Sequence, residues 1–234
     1  MLKIILRRII KSIRERVYLC QTKDVPEGSL KQIDVSLANT NLQILVTRLD
    51  TEIKALSSKC PHALFPLIQG QVVNDKLYCP LHCATFSIKT GYQQYGPSFG
   101  SLINYETHLE GDRVYLELPE NGIEEVGEIP SKLKPKSERK DNSVFAIVGG
   151  GISALSACLT LRQSGHQGRI VVLSKEPLLP YDRTRPSKKL IIEIPSLKSQ
   201  PHFNTQQIEF IKNASVENID VEKQNIRYSK KGKQ

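Results

Sequence analysis

Long apolar runs are missing from this chain of 234 residues: none approaches the roughly 20 residues that a membrane-spanning helix needs, so no transmembrane segment is expected. Cysteine is sparse and odd in number, five in all, and no secretory signal precedes it. That excludes a disulfide framework and points to a reducing, intracellular compartment. Aromatic residues make up only 6% of the chain, and none are interleaved with its basic stretches. The net charge of +9 therefore reads as solvated faces, and no nucleic-acid site is expected. There is no internal repeat. What remains is an ordinary globular balance, 39% hydrophobic and 24% charged, with room for one large or two modest domains.

Acidic residues are scarce at the N-terminus. Lys3, Arg7, Arg8, Lys11, Arg14 and Arg16 face only Glu15, while Leu2, Ile5, Leu6, Ile9 and Ile13 recur at helical spacing. Residues 1–16 are thus expected to form a basic amphipathic segment. It resembles a mitochondrial transit peptide, although it is poor in Ser; the alternative is a helix packed on the next domain. The location is mitochondrial on the first reading and cytoplasmic on the second.

Three further regions follow. Residues 17–120 read as short strands separated by turns, with β-rich stretches at Val17–Cys20, Leu42–Thr47, Ile53–Leu56, Gln71–Leu77 and Arg113–Leu118. Residues 121–142 are charged, carry Pro130 and Pro135, and lack apolar periodicity, as a linker does. From residue 143 the pattern is α/β. An apolar strand Val144–Val148 meets a glycine run, Ile152–Gln163 has helical periodicity, Gly165 can stop that helix, and Arg169–Leu173 is a second buried strand.

The strongest chemical signal lies in the β region. Cys60-Pro61-His62 is followed, after sixteen residues, by Cys79-Pro80-Leu81-His82. Cys60, His62, Cys79 and His82 form two Cys-His pairs, each on its own loop. In a mixed-ligand [2Fe–2S] centre one iron takes two thiolates and the other two neutral imidazoles. Cys60 and Cys79 would bind one iron, and His62 and His82 the other. A Cys2His2 set can also bind zinc, although zinc fingers usually group Cys with Cys and His with His. An unoccupied site is the remaining alternative.

On these ligands the stretch 17–120 resembles the Rieske ferredoxin family. Phe86-Ser87-Ile88-Lys89-Thr90-Gly91 is similar to the strand and turn after the second ligand loop, and Gly96-Pro97 to the proline-containing loop that covers the cluster. The resemblance implies an all-β Rieske domain and single-electron transfer. High-potential members carry Ser and Tyr two and four residues after the second His; Ala84 and Phe86 stand there instead, which implies a low potential. The residue after that His is usually Gly, and here it is Cys83. If the position needs a positive φ, Cys83 strains the loop.

The second signal is Gly149-Gly150-Gly151-Ile152-Ser153-Ala154, in a strand–turn–helix context. This is G-x-G-x-x-A: Gly149 for the turn, Gly151 for approach to a pyrophosphate, Ala154 for close helix–sheet packing. Glu176, just past the second strand, is placed to accept from ribose hydroxyls. Leu179-Pro180-Tyr181-Asp182-Arg183 with Ser187-Lys188 resembles the L-P-Y-D-R-x-x-L-S-K segment of flavin-dependent ferredoxin reductases and apoptosis-inducing-factor proteins. That resemblance implies FAD contacts at Arg183 and Lys188 and a partial Rossmann-type FAD-binding domain over residues 143–234. Together the regions resemble Rieske-containing, apoptosis-inducing-factor-like oxidoreductases. Their third parallel strand, of G-I-x-V type, is expected to be missing between Phe210-Ile211-Lys212-Asn213 and Ala214. No NAD(P)H domain is recognised, so the chain reads as truncated or spliced, and hydride transfer by it alone is not expected.

Three functions follow. The first is a Rieske electron-transfer protein exchanging single electrons with a flavin domain or redox partner protein. The second is an oxygenase component; outside the cluster the histidines are His108, His166 and His202, and none forms the close D-x-x-H-x-x-x-x-H type of group with which a mononuclear iron would be held. The third is a catalytically incomplete interaction or regulatory protein linked to apoptosis by analogy.

Overall fold

The computed structural model describes residues 16–37, 40–118, 127, 134, 138, 140–184 and 196–230. The chain divides into two compact units, Met1–Ile129 and Pro130–Gln234. The expected basic N-terminal segment lies outside the described residues except for Arg16, as does most of the expected linker.

The first unit is all β. Its central sheet is β2 (Leu30–Leu37), β3 (Thr40–Leu49), β4 (Glu52–Ser57) and β9 (Asn104–Tyr105), in that order and antiparallel. Strand side chains alternate between faces. On β3, Ile44 and Val46 enter one core with Ile53, Ala55, Val114 and Leu116, while Leu45 enters another with Leu56, Leu67, Leu77, Phe86 and Leu102. Burial on both faces explains why Leu42–Thr47 reads as an apolar run rather than an alternation. The first core is closed by the sheet β1 (Arg16–Gln21), β11 (Arg113–Glu117) and β10 (Thr107–Glu110). The second is closed by the sheet β5 (Gln71–Val73), β6 (Lys76–Tyr78), β7 (Thr85–Ser87) and β8 (Gln93–Tyr95).

The expected strand Gln71–Leu77 is a hairpin instead. Asn74 adopts φ 54° and turns β5 back onto β6, and Asn tolerates the left-handed region better than most residues. Gly127, expected in the linker, exchanges two backbone hydrogen bonds with Ser101 (2.7 and 2.9 Å).

The second unit holds a parallel sheet in the order β12 (Val144–Val148), β13 (Arg169–Leu173), β14 (Ile208–Ile211). Helix α1 (Ile152–Ser164) connects the first two strands and buries Ala154, Leu155, Cys158 and Arg162. It ends at Gly165, whose φ of 98° is the left-handed cap that glycine accepts without penalty. A short helix α2 (Gln200–Thr205) precedes β14, and the antiparallel hairpin β15 (Ala214–Asp220) and β16 (Asn225–Lys230) follows it. The third parallel strand is therefore present as β14, against expectation. Gln207, just ahead of it, adopts φ 49°, a conformation for which glycine would be the ordinary signal.

Candidate metal centre and glycine-loop cleft

The four expected metal ligands lie on two loops of one design. Loop one, Cys60–Phe65, is closed by the Lys59–Pro66 bridge, and loop two, Cys79–Ala84, joins the opposed residues Tyr78 and Thr85. In each, the Cys N–H donates to the carbonyl five residues on: Cys60 to Phe65 and Cys79 to Ala84, both 2.9 Å. In each, the N–H four residues on donates back to the Cys carbonyl: Leu64 at 2.8 Å and Cys83 at 3.1 Å. These bonds hold both sulfurs inside the second core.

Burial separates the two donor types. Cys60 and Cys79 are 1% and 2% exposed, whereas His62 is half-buried and His82 exposed. The imidazoles stand edge to face with ring centroids 4.8 Å apart. Burial, with the adjoining Cys79 thiol, pushes the Cys60 thiol up to about 11; the His62 and Ala63 backbone N–H groups work against that rise. A thiol so placed ionises readily only when a cation replaces its proton. Two inner sulfurs and two outer imidazole nitrogens on paired loops fit the donor set of a mixed-ligand [2Fe–2S] cluster, in which Cys60 and Cys79 would hold one iron and His62 and His82 the other.

The Gly96-Pro97 loop packs on this centre. A Cβ at Gly96 would lie 2.6 Å from Ala84 Cα, so only glycine lets the backbone approach loop two so closely. The Gln93 side-chain amide donates to the Gly96 carbonyl at 2.7 Å and holds it there. Ala84 and Phe86 are fully buried and offer no hydroxyl, and the neighbouring Thr85 hydroxyl is taken by the Cys83 carbonyl at 3.2 Å.

In the second unit, Gly149, Gly151, Ala154 and Arg183 line one cleft of about 440 Å³, together with Ile147, Val148, Ile152 and Ser153. Gly149 adopts φ 105°, and nothing lies within 4 Å of where a Gly151 Cβ would stand, so that backbone faces open space. Gly150, not singled out by the motif, cannot carry a side chain because a Cβ there would collide with Ser174. Glu176 is held in an ion pair with Arg183, whose guanidinium lies 5.7 Å from the Tyr181 ring centre. Lys188 lies outside the described residues.

Comparison with known proteins bears on the region that carries the first of these sites. Residues 15–106 match the Rieske [2Fe-2S] domain family. Human apoptosis-inducing factor 3 is 29% identical over 208 residues, which is 87% of this chain and 34% of that protein. The chain thus spans about a third of the length of that relative. The 3-phenylpropionate/cinnamic acid dioxygenase ferredoxin subunit of Escherichia coli (strain K12) is 34% identical over 106 residues, 45% of this chain and 95% of the subunit. Among solved structures, the Sphingomonas yanoikuyae B1 ferredoxin aligns at 23% identity with a TM-score of 0.41, covering 45% of this chain and 100% of that one. By its four ligands, its paired loops and these relatives, the chain belongs to the Rieske [2Fe–2S] family, as an apoptosis-inducing factor 3-like Rieske protein.

Proposed function

We propose that the chain is a one-electron carrier whose cluster exchanges electrons with a flavin or with a redox partner protein. One observation carries this reading: the two thiols are buried in the core while the two imidazoles reach the surface. The cluster, when bound, supplies a one-electron couple between its oxidised and reduced states. The chain's own residues set where that couple is accessible. Cys60 and Cys79 keep one side dry, and His62 and His82 face the solvent, where a partner can approach. Exposed Leu64, Leu81 and Tyr95 lie on the two ligand loops and the strand before the Gly96-Pro97 loop, and would give such a partner apolar surface. The E. coli relative is a ferredoxin subunit, which fits a carrier role.

We further propose that the glycine-loop cleft takes the pyrophosphate of FAD. The N-terminus of α1 offers backbone donors there, and Arg183 lines the cleft with its cationic head. Glu176, paired with Arg183, would exchange that partner for ribose hydroxyls. Mitochondrial location is proposed from the charge pattern of residues 1–16.

The test is a visible and electron paramagnetic resonance spectrum of the purified protein, oxidised and after reduction by dithionite, with iron content measured. About two irons per chain and a paramagnetic signal that appears on one-electron reduction support the carrier reading. A colourless protein containing zinc would overturn it and favour the interaction-protein alternative. An added flavin absorbance would support the second proposal, and its absence under excess FAD would defeat it.

A further inference from the structure

Gly127 is buried near the end of the first unit and joined to Ser101 by a backbone pair. The Ser101 N–H donates to the Gly127 carbonyl at 2.7 Å, and the Gly127 N–H donates to the Ser101 carbonyl at 2.9 Å. The pair is an isolated bridge outside the named strands. Only glycine fits there. A Cβ at Gly127 would lie 2.4 Å from the Leu102 carbonyl oxygen and 2.8 Å from its carbon, backbone atoms that cannot swing aside. A Cβ at Gly91 would meet the same oxygen, also at 2.4 Å. Leu102 itself enters the core that holds Cys60 and Cys79.

From Ser101 the contacts run to the metal loops through Gln93. The Ser101 hydroxyl accepts from the Gln93 N–H at 3.0 Å. The Gln93 side-chain amide donates to the Gly96 carbonyl at 2.7 Å. Gly96 lies against loop two, where a Cβ on it would come within 2.6 Å of Ala84 Cα and 3.1 Å of the Cys83 carbonyl oxygen. Gln93 is thus held at its backbone by Ser101 and holds the Gly96-Pro97 loop with its side chain. Water at the centre has a redox consequence. One-electron reduction adds a negative charge, solvation favours the charged form, and solvent exposure is one of the levers on the potential of such clusters.

We propose that Gly127 is a positioning residue for the metal centre: by pinning Ser101, and through it Gln93, it seats the Gly96-Pro97 loop on loop two, keeps water from the cluster and holds the reduction potential down. The inference rests on the Rieske assignment.

The test is a redox titration, with electron paramagnetic resonance of the reduced form, on the cluster-loaded full chain and its variants. Gly127→Ala should raise the reduction potential and shift the g-values, and Gln93→Ala should do the same. The double variant should move the potential by less than the two single shifts combined, as residues acting through one chain of contacts do. Hydrogen exchange at residues 93–97 should quicken at least about tenfold in Gly127→Ala. Val114→Ala, in the first core, lowers stability without touching these contacts and should leave the potential and the g-values unchanged. If Gly127→Ala does not fold, Ser101→Ala, which cuts the link from Gly127 to Gln93, is read in its place. An unmoved potential in the loaded, folded variant, or an equal shift in Val114→Ala, would overturn the proposal alone. A wild-type chain with no iron–sulfur signal would overturn the Rieske assignment together with it.

Discussion

Leu64 and Cys83 occupy the same place in two copies of one loop: each lies four residues after a buried thiol, and their φ angles are 57° and 58°. Both donate their N–H to the carbonyl of that thiol's residue, at 2.8 and 3.1 Å. The left-handed turn is therefore part of how each loop folds around the metal centre, and neither residue is glycine. The expected strain at Cys83 is present, and Leu64 shares it.

Cys83→Gly is expected to stabilise the cluster-loaded protein by about 1 kcal/mol, because a side chain in the left-handed region carries a penalty of that order. A rise of about 3 °C in the melting midpoint would show it. Cluster absorbance should not change, since Cys83 is not a ligand. Bleaching of the cluster in this variant would contradict the ligand assignment.

With no hydroxyl at Ala84 or Phe86, the reduction potential is expected at the low end of the family range, nearer about −150 mV than +300 mV. Ala84→Ser introduces a donor at the end of loop two. A charge-assisted hydrogen bond worth about 1.5 kcal/mol more to the reduced centre raises a one-electron potential by about 65 mV. Spectroelectrochemistry on the two proteins reads this directly. A wild-type potential above zero, or no rise in Ala84→Ser, would count against hydroxyl tuning at these positions.

Asp141 should make the second unit acid-sensitive. Its carboxylate accepts from Ser143 N–H at 2.9 Å, from the Ser143 hydroxyl and from Gly168 N–H at 3.1 Å, and it pairs with His166 Nδ1 at 3.2 Å. The Ser143 hydroxyl first, then its N–H and the other partners, lower its pKa from the usual 3.8 to about 2. A depressed carboxylate pKa contributes stability that is present above pH 4 and lost as the pH falls toward about 2. Thermal melts from pH 5 to pH 2 should show that fall in the wild type and a flatter profile in Asp141→Asn. Parallel profiles would refute it.

Among the described residues Arg162 is the largest fully buried side chain, and it donates to four backbone carbonyls: Gln206 at 2.8 Å, and His166, Gly168 and Gln207 at 2.9 Å each. It ties the end of α1 to the start of β13 and to the turn before β14. Arg162→Met strands those acceptors and should cost the second unit about 3 kcal/mol. Urea unfolding followed by circular dichroism measures this, and a loss under 1 kcal/mol would show that the carbonyls find other partners.

Some of this was legible in the residues and some was not. Val144–Val148, the helix after it and Arg169–Leu173 were readable because continuous apolar strands and a glycine-bounded helix follow from local periodicity. β2 was not recognised, although Ile33 and Val35 alternate with polar residues, because its pairing with β3 rather than its own composition secures it. β14 was missed because Gln207 stands at a positive-φ position where glycine would have marked the turn. Phe203 and Phe210, with ring centres 5.5 Å apart, hold that region together through contacts no local pattern announces.

The sequence by itself determined the candidate ligand set, since Cys60, His62, Cys79 and His82 point to their chemistry through residue type and spacing. It likewise determined the glycine loop, whose turn and open backbone depend on the absence of side chains. Only the tertiary structure decided that both metal loops share one hydrogen-bond pattern, that the thiols are inside and the imidazoles outside, and that Gly96 closes on Ala84. Backbone pairing alone brought Gly127 to Ser101. Burial and register arise from pairing between distant segments, and no window of sequence contains both partners.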